Sequence, residues 1–200
     1  MKQYNDFYYL KSMGVETQIG FVQLIGKPII KKYPNSIIKI MSGVTLDSDV
    51  QNNPAGICHP VILATMSENA QIVLGRDSGL SGATLCARTK IEIGEYVGIG
   101  ANTSIFDNDF HPANPYLRKF DNDKNTLSAP ILIEDFSWIG GNCIILKGTR
   151  IGKGAVVGAG SVVTSIVPEL SIFAGNPAKF RKKIDIDHET YHNLFNSGKE

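Results

Sequence analysis

His111 is the side chain of this sequence best suited to move a proton. It stands between Phe110 and Pro112 in the segment FDNDFHP. A neutral imidazole titrates near physiological pH, so it can take a proton and later return it. Asp107 and Asp109 lie just upstream, close enough in sequence for either to hold the second ring nitrogen and set the tautomer. His59, in the polar segment GICHP, reads as an ordinary loop residue. His188 and His192 form HETYH, a match to the H-E-x-x-H helical zinc site in which Glu189 would be the base. The helix is terminal, and Glu200 is the only strong ligand after His192. Two surface histidines with no metal is the better reading.

The elements that must carry these residues announce themselves by period. From Ile133 onward an isoleucine or valine recurs every six residues, at Ile139, Ile145, Ile151, Val157 and Val163. Four places after each stands a smaller residue: Ser137, Cys143, Thr149, Ala155, Ser161, then Val167. A helix would repeat its apolar face every 3.6 residues and a strand every two. Six suits a short strand plus a tight corner, with three hexads closing one triangular coil. Glycine follows the aliphatic at Gly140, Gly152 and Gly158, and precedes the small residue at Gly148, Gly154 and Gly160. These glycines are expected to supply the positive φ of the corners. Ile93, Ile99 and Ile105 keep the same phase upstream, with Ala87 and Ser81 extending the series backwards. Between the two regular stretches the period vanishes over 106–130, and long ordered loops inside compact domains are usually functional.

Two hundred residues suit a single domain with a sizeable core. Twenty Lys and Arg against 19 Asp and Glu leave no field to favour nucleic acid or an anionic membrane. No apolar run is long enough to span a bilayer, and the N-terminus lacks the pattern of a signal peptide. A cytoplasmic protein is expected. Three cysteines do not make a disulfide framework, and Cys143 falls on a corner-packing position. The domain divides into an N-terminal arm (1–35), a first stretch of coil (36–105), the histidine loop (106–130), a second stretch (131–168) and a C-terminal turn and helix (169–200). Within the first stretch, 47–60 reads as a protruding polar loop. At the end, 185–195 reads as a helix capped by Asp185 or Asp187, with Ile186, Tyr191, Leu194 and Phe195 as its apolar face.

The repeats, FDNDFHP, SWIGGNCIILKGTRIGKGAVVGAGSVVTSIVP and AGNPAKF together resemble the hexapeptide-repeat acyltransferases, over roughly residues 36 to 184. GLSGATLCA followed by DNDFHP is most similar to the branch that acetylates sugars of polysaccharides and O-antigens. The resemblance implies a mainly β fold, a left-handed parallel β-helix of hexapeptide repeats with a long excursion loop and a short C-terminal helix. Such a coil is an exception to the right-handed rule for parallel crossovers.

The activity implied is O-acetylation of a sugar or polysaccharide precursor by acetyl-CoA, with coenzyme A leaving and no metal required. His111 would be the general base, with Asp109, the acid of the family motif, beside it. The pantetheine arm would lie along a coil edge at Gly140, Gly141, Ala159 and Gly160, with Trp138 as a wall. Thr164, and Lys179 and Lys182 of the basic cluster after AGNPA, would meet the nucleotide end; Ser165 departs from the lysine usual there. Asn53, Ser81 and Asp107 are candidate acceptor contacts. A homotrimer with active sites between chains is implied, with no nucleic-acid partner and no membrane span. Other acceptors (an antibiotic, serine, an amino sugar), a carbonic-anhydrase-type metalloenzyme and a silent β-helix scaffold are the competing readings.

Overall fold

A computed structural model gives the fold; it describes residues 2–17, 21–120 and 125–195. Each hexad makes a short strand and a corner, and successive strands fall on three sides in rotation. The first side is a 6-stranded sheet of Glu16–Thr17, Ile37–Ile40, Gln71–Leu74, Lys90–Ile93, Ile131–Ile133 and Arg150–Ile151. The second has 8 strands: Gln23–Ile25, Thr45–Asp47, Gly79–Ser81, Gly98–Ile99, Trp138–Ile139, Val156–Val157, Ser171–Ala174 and Lys179–Lys183. The third has 6: Ile29–Lys31, Ile62–Thr65, Thr84–Ala87, Ser104–Phe106, Ile144–Leu146 and Val162–Val163. Strands stack in parallel from coil to coil until the last, which runs antiparallel and ends the second sheet.

Register places like on like. Ile40, Leu74, Ile93, Ile133 and Ile151 line the first side. Leu46, Leu80, Ile99, Ile139 and Val157 line the second. Leu63, Leu85, Ile105, Ile145 and Val163 line the third. All are buried in one continuous core, and each fully buried aliphatic contributes about 1.5–3 kcal/mol. The small residues are buried as well, and their hydroxyls close the corners. Ser137 Oγ reaches the carbonyls of Glu134 and Gly152 at 2.7 and 2.9 Å, and Thr149 Oγ1 that of Val163 at 3.3 Å. Among the described residues no buried side-chain nitrogen or oxygen lacks a partner, as a dry interior demands.

The glycines serve two separate needs. Gly148, Gly154 and Gly160 have φ of +75°, +61° and +70°, as expected of corner residues. Gly140, Gly152 and Gly158 lie outside that region and are needed for room instead. A Cβ on Gly140 would stand 2.5 Å from the backbone nitrogen of Ala159, and one on Gly152 2.5 Å from that of Glu169. The left-handed corner positions of other coils are taken by Tyr96, Asn102, Phe136 and Asn142.

Two expectations are corrected here. The coil begins well before residue 36, because Val22, Leu24 and Ile30 turn inward and their strands are already paired. Among the described residues of the arm, helix α1 (Lys2–Ser12) stands apart, and it covers the open end with Leu10 fully buried. The strict hexad series also slips upstream: Leu80, not Ser81, pairs with Ile99 and points inward. A short corner from Leu80 to Leu85 and a long one from Leu85 to Ile93 together absorb the extra residue of that coil.

The segment 47–60 folds down on the corner between the second and third sides rather than protruding freely. Ile57 is buried, and Asn102 holds Cys58 N and Gly56 O at 2.8 and 3.2 Å. The histidine loop contains a short helix, α2 (Pro115–Phe120). Helix α3 (His188–Phe195) is capped by Asp187, which accepts Thr190 N at 2.8 Å and Thr190 Oγ1 at 2.7 Å. Its Phe195 ring meets Phe136 edge-on at 5.4 Å and fills the corner left open by Gly154.

Candidate active site

The histidine loop leaves the third side after Phe106 and rejoins the first at Ile131, so it springs from the corner between those sides. Its neck is a pair of antiparallel runs. Ala129 N donates to Asp107 O at 2.9 Å and Asp109 N to Leu127 O at 3.0 Å. Asp107 is fully buried, and its carboxylate accepts Arg88 N, Thr89 N and Thr89 Oγ1 at 2.7, 2.6 and 2.8 Å. Phe110 is left-handed at φ 60°, a conformation that costs a bulky residue about 1–2 kcal/mol. It is held there from two directions: Asn108 Oδ1 accepts its N–H at 2.9 Å, and its ring packs edge-on against Phe106 at 5.1 Å. Strain of this kind persists only where the surroundings over-determine it. The turn presents His111 exposed between the strained Phe110 and the buried Pro112, with His111 N donating to Asp109 O at 2.6 Å.

The expected site residues do not all gather here. Asp109 does, and its Oδ1 receives Lys147 Nζ at 2.5 Å. Asp107 is corrected from a sugar contact to the buried anchor of the neck, since its oxygens are spent on the backbone and hydroxyl above. Asn53 donates to Asp47 Oδ2 at 2.7 Å and accepts Ala55 N at 2.8 Å, so both its polar ends serve its own loop. Ser81 is half-buried at the end of its strand, level with Asp47. Asn53 and Ser81 stand at the corner between the second and third sides, across the third side from His111.

The residues expected along the donor arm divide likewise. Gly140, Gly141, Ala159 and Gly160 occupy that same corner between the second and third sides. The smallness of Gly140 and Gly141 is used by neighbouring coils: their Cβ atoms would meet Ala159 N at 2.5 Å and Ala101 O at 3.1 Å. Gly160 differs, for a Cβ there would meet nothing within 4 Å, and with exposed Ala159 it forms an open shelf. Trp138 is 58% exposed on the outer second side, its indole across Gly98. Its row runs through Val156 and Ile172 to Lys182, with Lys179 further along the same exposed strand. Thr164 falls instead on the corner of the histidine loop.

Cys143 is buried, and burial pushes its thiol up from the usual range, as it does that of Cys86. Among the described residues no three His, Cys, Asp or Glu side chains converge as metal ligands. No helix among them is long and apolar enough to cross a membrane.

A model of the family described as bacterial transferase hexapeptide (six repeats) matches residues 130–165, the stretch whose hexads line the core. The chain is 40% identical over 109 residues to a galactoside O-acetyltransferase of Lactococcus lactis, covering 54% of this chain and 51% of that one. Residues 130–165 carry the hexapeptide repeat that this model describes. The repeats and the likeness to solved hexapeptide-repeat structures give a left-handed β-helix. A hexapeptide-repeat-containing acetyltransferase of Vibrio cholerae, solved complexed with acetyl coenzyme A, is 33% identical with a TM-score of 0.53, covering 57% of this chain and 61% of that one. A mutant of AntD, an N-acyltransferase from Bacillus cereus, shares the fold at a TM-score of 0.70 and 21% identity, covering 94% of both chains. The chain spans about half the length of the lactococcal relative.

Within this hexapeptide-repeat frame, sequence reasoning passed over Lys147 and Asn102. Both become evident once the coils are stacked. Leu146 stacks under Phe106, so the next residue, Lys147, must stand at the corner from which the histidine loop departs. Asn102 occupies a left-handed corner at φ 59°, a position asparagine tolerates better than most.

Proposed function

We propose that the chain is an acetyl-CoA-dependent O-acetyltransferase acting on a sugar hydroxyl of a polysaccharide, O-antigen or precursor, with His111 as general base. The observation that carries this reading is the neck of the histidine loop. Strain at Phe110, a buried anchor at Asp107 and a double tether on the coil are spent on presenting one exposed imidazole. In the reaction the imidazole takes the hydroxyl proton as the oxygen attacks the thioester carbonyl. The carbon–sulfur bond breaks, the ester forms, and the imidazolium returns its proton to the leaving thiolate. The acceptor class is supported by the galactoside named for the lactococcal relative, and the donor by the acetyl coenzyme A of the Vibrio complex. A donor made in the cytoplasm favours that compartment.

The site is shared between copies of the chain in this reading. His111 and the Gly160 shelf stand at opposite edges of the third side. The outer face of that side carries Ile29, Ile62, Thr84, Ser104, Ile144 and Val162 in one row and Lys31, Ala64, Cys86, Phe106 and Leu146 in the next, with Lys31 its one charged member in these strands. The first side is more highly charged, with Ile37, Gln71 and Lys90 in one row and Lys39, Val73, Glu92, Leu132 and Arg150 in the next. A homotrimer that covers the third side would set the histidine of one copy against the shelf of the next.

The test is turnover of His111→Asn, followed as thiol release from acetyl-CoA with a panel of galactosides and oligosaccharides. Loss of about 100-fold or more in kcat is expected, with the fold and donor binding kept. Wild-type turnover by the variant contradicts the assignment.

A further inference from the structure

One corner of the coil holds both feet of the histidine loop. Where the loop returns, Gly148 N donates to Ala129 O at 3.1 Å. Where it leaves, Lys147 Nζ meets Asp109 Oδ1 at 2.5 Å. Asp109 is also the residue whose carbonyl receives the His111 amide at 2.6 Å. The lysine thus grips the histidine's turn through one intervening residue. We propose that Lys147 is a positioning residue for acyl transfer, its ammonium pairing with Asp109 to set where His111 presents its ring. This rests on the reading of His111 as the base.

The rest of the neck does not do this job. Asp107 binds Arg88 and Thr89, and Asn108 binds Phe110, so these tethers hold the backbone on either side of Asp109. Lys147 reaches Asp109 itself and ties it to the coil one turn on. The pair is half-exposed, with side-chain exposures of 30% and 35%, and ion pairs at such exposure add little to folding stability. What it controls is placement. A reacting group displaced by about 1 Å loses as much as about 100-fold in rate, with the fold unharmed. Asp109 then serves as the handle by which the rigid coil holds a turn that is strained at Phe110.

The test compares Lys147→Ala, Lys147→Arg, Asp109→Asn, the double variant Lys147→Ala/Asp109→Asn and His111→Asn. Thiol release from acetyl-CoA is measured with methyl β-galactoside and with water alone as acceptor. Amide exchange at His111 supplies a readout free of substrate. Lys147→Ala and Asp109→Asn are each expected to lower kcat about 10-fold, with the KM for acetyl-CoA within about 2-fold and exchange at His111 about 10-fold faster. The double variant should fall no further than either single, because both remove one contact. Lys147→Arg, which still reaches a carboxylate, should recover most of the rate and the protection.

Wild-type kcat in Lys147→Ala, multiplied losses in the double variant, or an arginine no better than alanine would overturn the proposal. If His111→Asn matches the wild-type protein in both assays, the base reading falls and takes this one with it. If His111→Asn is inactive while Lys147→Ala is unimpaired, only the positioning role falls.

Discussion

Replacing Gly140 with alanine puts a methyl group where the next coil already is. Its Cβ would lie 2.5 Å from Ala159 N, 2.8 Å from Ala159 Cα and 3.0 Å from Val157 O, all backbone atoms that cannot swing aside. Gly140 N also donates to Val157 O at 2.8 Å, one of the bonds that join the coils. Relief requires the coils to part locally, loosening that bond, and overpacking of this kind costs about 1–3 kcal/mol. Near 200 residues each kcal/mol moves Tm by about 2–4 °C, so a fall of about 2–12 °C is expected. Gly160→Ala meets nothing within 4 Å but keeps a φ of +70°. It suffers only the left-handed penalty of about 1–2 kcal/mol, so its Tm should fall by about 2–8 °C. Gly79→Ala has neither obstacle, and its Tm should hold or rise slightly. Thermal melts by circular dichroism, at one protein concentration throughout, rank the three. Gly140→Ala melting together with Gly79→Ala would refute the assignment of that glycine to coil packing.

Asp187 is held below the usual carboxylate range chiefly by the backbone and side-chain hydrogen bonds of Thr190. A carboxyl depressed in the folded helix stabilises it above the ordinary carboxylate range and loses that effect as pH falls through the depressed value. Amides of α3 should therefore exchange with lower protection at pH about 2–3 than at pH 6, relative to the coil, and Asp187→Asn should abolish the difference; equal relative protection in the native chain would contradict the cap. Cys58 is exposed, whereas Cys86 and Cys143 have raised thiols. A disulfide reagent at pH 8 should modify Cys58 alone until denaturant is added, and rapid native labelling of Cys143 would contradict its packing role.

Much of this was legible before any coordinates. The aliphatics from Ile133 to Val163 and the small residues from Ser137 to Val167 all point inward, because a coil of equal sides makes the period and the geometry one fact. Legibility failed where the coil is irregular. Ser81 was placed in phase by counting six, but unequal corners on either side of Leu85 shift the inward residue to Leu80. The strands before residue 36 were missed because Val22, Leu24 and Ile30 are too unevenly spaced to show a period. Asp107 looked available for a substrate since a sequence does not reveal which carboxylate a corner will bury. The two duties of glycine, angle at Gly160 and space at Gly140, also look alike in sequence. The motif singles out His111 as the candidate base, whereas the pairing of Asp109 with Lys147 appears only once coils are stacked.

Calorimetric titration of acetyl-CoA into the native protein and into Gly160→Trp tests the acyl-transfer account most directly, because it needs no knowledge of the acceptor. Saturable binding near one site per chain, lost when the tryptophan covers the open shelf, is the predicted result. No binding at millimolar acetyl-CoA by the folded native protein would contradict the transferase reading, and unchanged binding by Gly160→Trp would contradict the place assigned to the donor.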